Sequence, residues 1–128
     1  MLNQANAVAL IPCKDLQTTR RFYEDVLGFS VSREAPSGID FVSGESRFSL
    51  YPSQHGGAAE HTVMGWSVDD VESTADELIG KGITFENYDF PGLKTNEKGI
   101  AEMGGEKGAW FKDPEGNILA LFEESQPR

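Results

Sequence analysis

Two apolar runs are punctuated in the same way. Val8-Ala9-Leu10-Ile11-Pro12-Cys13-Lys14 and Val63-Met64-Gly65-Trp66-Ser67-Val68-Asp69 each predict a strand, and each leads directly to an aspartate, Asp15 or Asp70. Both aspartates read as helix N-caps, because a carboxylate there accepts the backbone N–H groups that a first helical turn leaves without partners. After Asp15, the apolar residues Leu16, Phe22, Tyr23, Val26 and Leu27 recur at helical spacing, and Gly28 supplies a left-handed stop. After Asp70, the corresponding set is Val71, Ala75, Leu78 and Ile79, with Gly82 as the stop.

β-prone segments follow each helix. In the first half they are Phe29 to Arg33, Ile39 to Val42 and Arg47 to Tyr51, separated by the turn-prone Ala35-Pro36-Ser37-Gly38 and Ser43-Gly44-Glu45. In the second half they are Ile83 to Tyr88, Gly108 to Phe111 and Ile118 to Phe122. The pattern predicts an α+β chain built as a repeated βαβββ unit, with module 1 at about residues 5–55 and module 2 at about 60–125 of a single domain, 1–128. The stretch from Phe90 to Glu106 has no counterpart in the first half. It contains Pro91 and several glycines, and it reads as a long loop of the kind that more often serves function than not.

Three stretches carry a resemblance to a known family. Asp15-Leu16 with Phe22-Tyr23 and Leu27-Gly28-Phe29 resembles the opening motif of the vicinal oxygen chelate superfamily, which includes glyoxalases, extradiol dioxygenases and bleomycin-resistance proteins. Val68-Asp69-Asp70-Val71 is similar to its middle motif, and Phe111-Lys112-Asp113-Pro114-Glu115-Gly116-Asn117-Ile118 to its C-terminal hairpin. The resemblance implies the glyoxalase/bleomycin-resistance fold, in which two modules form a cupped mixed sheet. It does not choose a function, because that superfamily hosts several. In the hairpin, Asp113 and Asn117 read as structural, bonding nearby backbone around a Pro–Gly turn.

The resemblance also says where metal-dependent relatives place their His, Glu or Gln ligands. Those positions fall on Val8, near Ser49, on Val63 and on Ala120. Valine and alanine carry no donor atom, and a lone serine hydroxyl binds a divalent ion weakly, so the expectation is a site with no metal and no cofactor. His61 shares strand parity with Val63 and is the one imidazole near that face.

By the same resemblance the concave face takes in Val8, Leu10, Ser49, Tyr51, His61, Val63, Gly65, Trp110, Ala120 and Phe122, an apolar and aromatic surface with few polar groups. Trp110 is the favoured ligand contact. Tyr88 and Phe90 are candidate lid contacts, with packing at a dimer interface as the other reading. Trp66 shares the helix-facing side with Met64 and Val68 and reads as core.

Charge narrows the partners. Across 128 residues the formal net charge is −10, which disfavours nucleic acid and anionic membranes and favours a neutral or cationic ligand. The single cysteine, Cys13, can form no internal disulfide and reads as a small buried hydrophobe. With no basic-then-apolar leader in the first residues and no apolar run long enough to span a bilayer, the expectation is a cytoplasmic protein, a homodimer by resemblance. The leading expectation is thus a metal-free protein that binds a small hydrophobic or cationic molecule. The alternatives are a metal-dependent lyase or dioxygenase of the glyoxalase type, and a metal-free acid–base enzyme using His61 near Ser49 or Tyr51.

Overall fold

The computed structural model describes residues 1–123, so the expected end of module 2 near residue 125 lies outside the described residues. Module 1 runs β1 (Ala9–Cys13), α1 (Leu16–Arg21), β2 (Ser30–Ala35), β3 (Gly38–Ser43) and β4 (Ser46–Pro52). Module 2 runs β5 (Thr62–Ser67), α2 (Val71–Gly80), a small hairpin of β6 (Asp89–Phe90) and β7 (Leu93–Lys94), then β8 (Ile100–Met103), β9 (Glu106–Lys112) and β10 (Ile118–Glu123). The two four-stranded sheets have the orders β1-β4-β3-β2 and β5-β10-β9-β8. In each, the first pair is parallel and the others are antiparallel. The repeat expected from the sequence is therefore a repeat of topology, and the fold is α+β.

Both helices begin as their caps dictate. Asp15 accepts from the Thr18 N–H at 3.1 Å and Asp70 from the Ser73 N–H at 3.2 Å. Gly28 and Gly82 end them at φ of +81° and +97°, a region that side chains with a Cβ enter at a cost. The last turn of the first helix widens into a π-helix over Phe22–Val26, where the Leu27 N–H reaches back to the Phe22 carbonyl.

Alternation along the strands sorts side chains into two faces. Ile11 and Cys13 of β1, Ile39 and Phe41 of β3 and Phe48 and Leu50 of β4 are buried on one face. Ala109 and Phe111 of β9 and Leu119 and Leu121 of β10 do the same in module 2. These residues and the helices' apolar faces form one core across both modules. Each large side chain removed from water this way contributes about 1.5–3 kcal/mol before conformational entropy is set against it. Trp66 joins the halves: it stacks on Phe29 of module 1 at 5.4 Å and on Phe111 of module 2 at 6.4 Å, and its indole N–H donates to the Ser43 hydroxyl.

The second half departs from expectation at its outer edge. Ile83 to Tyr88 forms no strand; it touches β9 through one bridge, Phe85 to Phe111, and one bond from the Glu86 N–H to the Trp110 carbonyl. Ile83 and Phe85 are buried, so the segment has the alternation of a strand. The edge of β9 it would pair with is mostly taken by β8, from Ile100 opposite Ala109 to Met103 opposite Glu106. The stretch expected as a loop, Phe90 to Glu106, thus contains β7, β8 and the ends of β6 and β9. β8 leaves no strand pattern in the sequence because it is only four residues long, with two adjacent buried residues and no alternation.

The β9–β10 turn fastens module 2 to module 1. Asp113 Oδ1 accepts from the backbone of Glu115 and Asn117, while Oδ2 accepts from Asn117 Nδ2 at 2.9 Å and from the Tyr23 hydroxyl at 2.8 Å. Asn117 spans the junction, donating to the Pro12 carbonyl and accepting from the Gly57 N–H. Glu115 accepts from the backbone N–H groups of Lys14 and Asp15 at 2.8 and 2.7 Å, next to the start of α1. Burial raises the Asp113 carboxyl above its ordinary value and raises the Tyr23 phenol well above its own, with the nearby Asp113 charge adding to the Tyr23 shift. Cys13 sits under this turn, and burial followed by the Asp113 and Glu115 charges pushes its thiol up to about 12. A thiol so raised stays protonated and is a poor nucleophile.

Candidate functional site

The faces opposite the core differ between the two sheets. In module 1, β1, β4 and β3 place Leu10 beside Ser49 and Ser49 beside Asp40. The Ser49 hydroxyl donates to Asp40 Oδ1, and Arg33 lies 4.0 Å from the other Asp40 oxygen. Leu10 is 63% exposed on this face; Tyr51 and Val8 are half-buried.

In module 2, Trp110 of β9 stands opposite Ala120 of β10, and Phe122 opposite Gly108. The indole lies down over Gly108: a Cβ there would come within 3.1 Å of Trp110 Cη2. Phe122 approaches Gly65 in the same way, with its Cε1 3.2 Å from where a Cβ would stand. Two glycines on the sheet thus leave room for two aromatic rings to spread over it. Ala120 is buried between them on the same face, and Val63 is half-buried near the register shift where β5 meets β10.

The β6–β7 hairpin adds a wall to this face. Thr95 anchors its base: its hydroxyl accepts from the Tyr88 N–H at 2.8 Å, and its own N–H donates to the Tyr88 carbonyl. Tyr88 then meets Trp110 edge-on, with centroids 5.6 Å apart and planes at 75°, and Phe90 stands 5.8 Å from Tyr88 at 55°. The cavity they enclose, about 340 Å³, is lined by Glu60, His61, Thr62, Tyr88, Phe90, Leu93, Trp110 and Ile118. Burial, and secondarily the Glu86 charge, raises the Tyr88 phenol, so it remains a neutral hydroxyl at neutral pH. His61 is exposed, with Nδ1 3.0 Å from the Thr62 carbonyl.

Of the residues expected on the concave surface, the structure places His61 and Trp110 around this cavity, together with the candidate lid residues Tyr88 and Phe90, the latter as its exposed outer wall. Ala120 and Phe122 continue the same sheet face beyond the cavity, and Val63 lies close by at the β5 register shift. Ser49 and Tyr51 belong to the module 1 sheet and Val8 directly precedes its strand β1, and none of the three lines the cavity. Glu60, Thr62, Leu93 and Ile118 carry no signal in the sequence as cavity walls, since nothing marks an isolated Glu, Thr, Leu or Ile as one until the hairpin is folded beside it.

A larger cleft of about 540 Å³, lined by Glu72, Lys94, Asn96 and Lys107 among others, lies nearer α2 and β8. Its mixed charge and committed polar groups make it the weaker candidate: Asn96 Oδ1 already accepts from the Lys98 and Ile100 N–H groups.

The family model described as the Glyoxalase/Bleomycin resistance protein/Dioxygenase superfamily matches residues 4–121. The chain belongs to this superfamily. The glyoxalase-type fold is shared with the bleomycin-binding protein from bleomycin-producing Streptomyces verticillus, solved with copper(II)-bleomycin. The TM-score is 0.72 at 20% identity, over 94% of this chain and 97% of that one. A glyoxalase family protein from Enterococcus faecalis superposes with a TM-score of 0.70 at 24% identity, over 96% and 100% of the two chains. Lactoylglutathione lyase from Agrobacterium tumefaciens does so at 0.68 and 20%, over 94% and 93%. No curated protein matches the chain.

Metal-dependent members of the superfamily hold a divalent ion on their strand faces. At the positions that the sequence resemblance assigns to such ligands, Val8, Val63 and Ala120 offer no donor atom, and the Ser49 hydroxyl is engaged by Asp40. Among the described residues, no three His, Cys, Asp or Glu side chains come together where they could hold one ion. No helix among the described residues is long and apolar enough to cross a membrane.

Proposed function

We propose that this member of the superfamily is a cytoplasmic binding protein that takes up a small hydrophobic or cationic molecule without a metal, seating it against Trp110 and Tyr88 in the cleft of module 2. The observation that carries the reading is the pairing of two features on one sheet face. At Ala120, one of the positions where the resemblance places a metal ligand, this chain has an apolar side chain; opposite it stands Trp110, one of the aromatic rings around a cavity of about 340 Å³. Tyr88, kept neutral, and Thr62 supply the polar contacts that orient the guest. Ala120 and Phe122 extend the apolar floor.

A second copy of the chain completes the site in this proposal. Leu10, Val42 and Phe122 are 63%, 44% and 38% exposed on strand faces that a single chain leaves uncovered. An isologous dimer laying Val8, Ser49 and Tyr51 of one copy near Phe122 of the other would remove that apolar surface from water.

The test is a thermal-shift screen against planar antibiotics and small metabolites, with elemental analysis of the purified protein. A ligand at about 100 times its Kd stabilises the fold by roughly 2.7 kcal/mol. Trp110→Ala abolishes the shift if the reading holds. A stoichiometric divalent metal overturns it, and metal-free turnover lost on His61→Ala replaces it with acid–base catalysis.

A further inference from the structure

The three rings around the cleft are walls of a corner, not a stack. Trp110 and Tyr88 stand at 75° and Tyr88 and Phe90 at 55°, so Tyr88 offers neither neighbour a parallel face between which a flat guest could slide. A compact, rounded group fits such a corner better, since it touches several ring faces at once. Each face is the negative side of the ring quadrupole.

The charged groups agree with the rings. Glu60 lines the cleft, and no cation of the described residues lies within ion-pair distance of it. Glu86, close enough to raise the Tyr88 phenol, is partnered by Lys112 at 3.7 Å. On the β6–β7 hairpin, Asp89 stands opposite Lys94 in register. The net excess facing the cleft is thus negative and rests on Glu60, in a chain of formal charge −10. Phe90, more than half exposed, is a large apolar ring with a free surface that a guest would cover.

We propose that the Trp110–Tyr88–Phe90 corner, with Glu60 at its mouth, is an aromatic cage for an organic cation carrying a compact alkylammonium head. This rests on the binding function proposed above and narrows its ligand class. The aromatic faces attract the cation, Glu60 balances its charge, and apolar Leu93 and Ile118 contact its methyl groups. An anion finds no Lys or Arg lining the cleft to receive it.

Titration of the full chain with choline, with the uncharged dimethylbutanol in which carbon replaces the quaternary nitrogen, and with acetate tests the cage. Indole N–H resonances provide the readout. Trp110→Leu assigns the Trp110 signal, and the Trp66 N–H, tied to Ser43, is the internal control.

The cage predicts movement of the Trp110 signal, with choline bound at least about fivefold more tightly than the alcohol and acetate not at all. Glu60→Gln narrows that gap. Equal affinity for choline and the alcohol overturns the cage and leaves the apolar cleft standing, as does binding of the alcohol alone. If none of the three probes moves the Trp110 signal while a neutral planar ligand from the screen does, the cage falls and the binding function survives. If nothing moves it, both fall.

Discussion

Modules 1 and 2 share topology, pairing and capped helices, yet their open sheet faces have different chemistry. Module 1 spends Ser49 and Arg33 on Asp40 and leaves Leu10 bare. Module 2 places glycine at Gly65 and Gly108 so that Phe122 and Trp110 can spread over the sheet, and it adds a hairpin that raises Tyr88 and Phe90 beside them. The difference traces to the segment after each helix. In module 1, Gly28 leads almost directly into β2, whereas in module 2 the path from Gly82 to β8 runs through β6 and β7. A duplicated frame can thus keep one copy plain and elaborate the other into a cleft, because side chains on the solvent face contribute little to folding and are free to change.

The turns that close the modules should show the largest contrast. Asp113→Ala removes an acceptor of four hydrogen bonds and strands the buried Tyr23 hydroxyl and Asn117 amide, so urea unfolding should show a loss of about 3 kcal/mol or more. Glu45→Ala, in the exposed module 1 turn between β3 and β4, should change stability by less than about 0.5 kcal/mol. Equal effects would mean that the β9–β10 turn does not fasten the modules together.

Ligand affinity sharpens the contrast between the faces. With any ligand found in the screen, Trp110→Ala should weaken binding by about tenfold or more by calorimetry, since a ring that large makes the main contact. Tyr51→Ala measures the other face. Unchanged affinity confines the site to module 2, whereas a loss of similar size shows that module 1 of a second copy contributes. Ser49→Ala should alter affinity by less than about twofold, because its hydroxyl is already satisfied by Asp40.

The smallest effect separates two aspartates by the sign of their pH dependence. Asp15, held below its ordinary value by the Thr18 bonds, contributes stability above that value and loses it as pH falls through its lowered pKa. Asp113, raised by burial, gives its proton-linked stability below the ordinary value and loses it as pH rises through its raised pKa. Unfolding free energies of Asp15→Asn and Asp113→Asn across acidic pH should therefore depart from the parent in opposite directions. Parallel curves would refute the assignment.

Much of this was legible before folding. Asp15, Asp70, Gly28 and Gly82 act locally, within a turn of their own backbone, so their spacing announced both helices and the repeat. The family motifs placed the β9–β10 turn, though not the Tyr23 hydroxyl or the Glu115 carboxylate that turn it into a fastening across the modules. β8 was hidden because a short edge strand needs a partner more than it needs a pattern. Trp110 could be singled out by resemblance, from its place three residues before Asp113, and Tyr88 as an aromatic residue beside an insertion, whereas Ile118, Thr62 and Leu93 could not.

What the sequence by itself determined is the frame: two capped βαβββ modules and a strongly acidic chain. Each of these depends on neighbours in the chain, on parity along a strand or on composition. Only the tertiary structure decided that β8 displaces Ile83 to Tyr88 from the edge of β9, and that His61, Tyr88, Phe90 and Trp110 meet around one cavity while Ser49 and Tyr51 stand apart on another sheet. Those outcomes depend on which segments compete for the same strand edge and on the angles at which rings meet, quantities that exist only once distant parts of the chain are packed together.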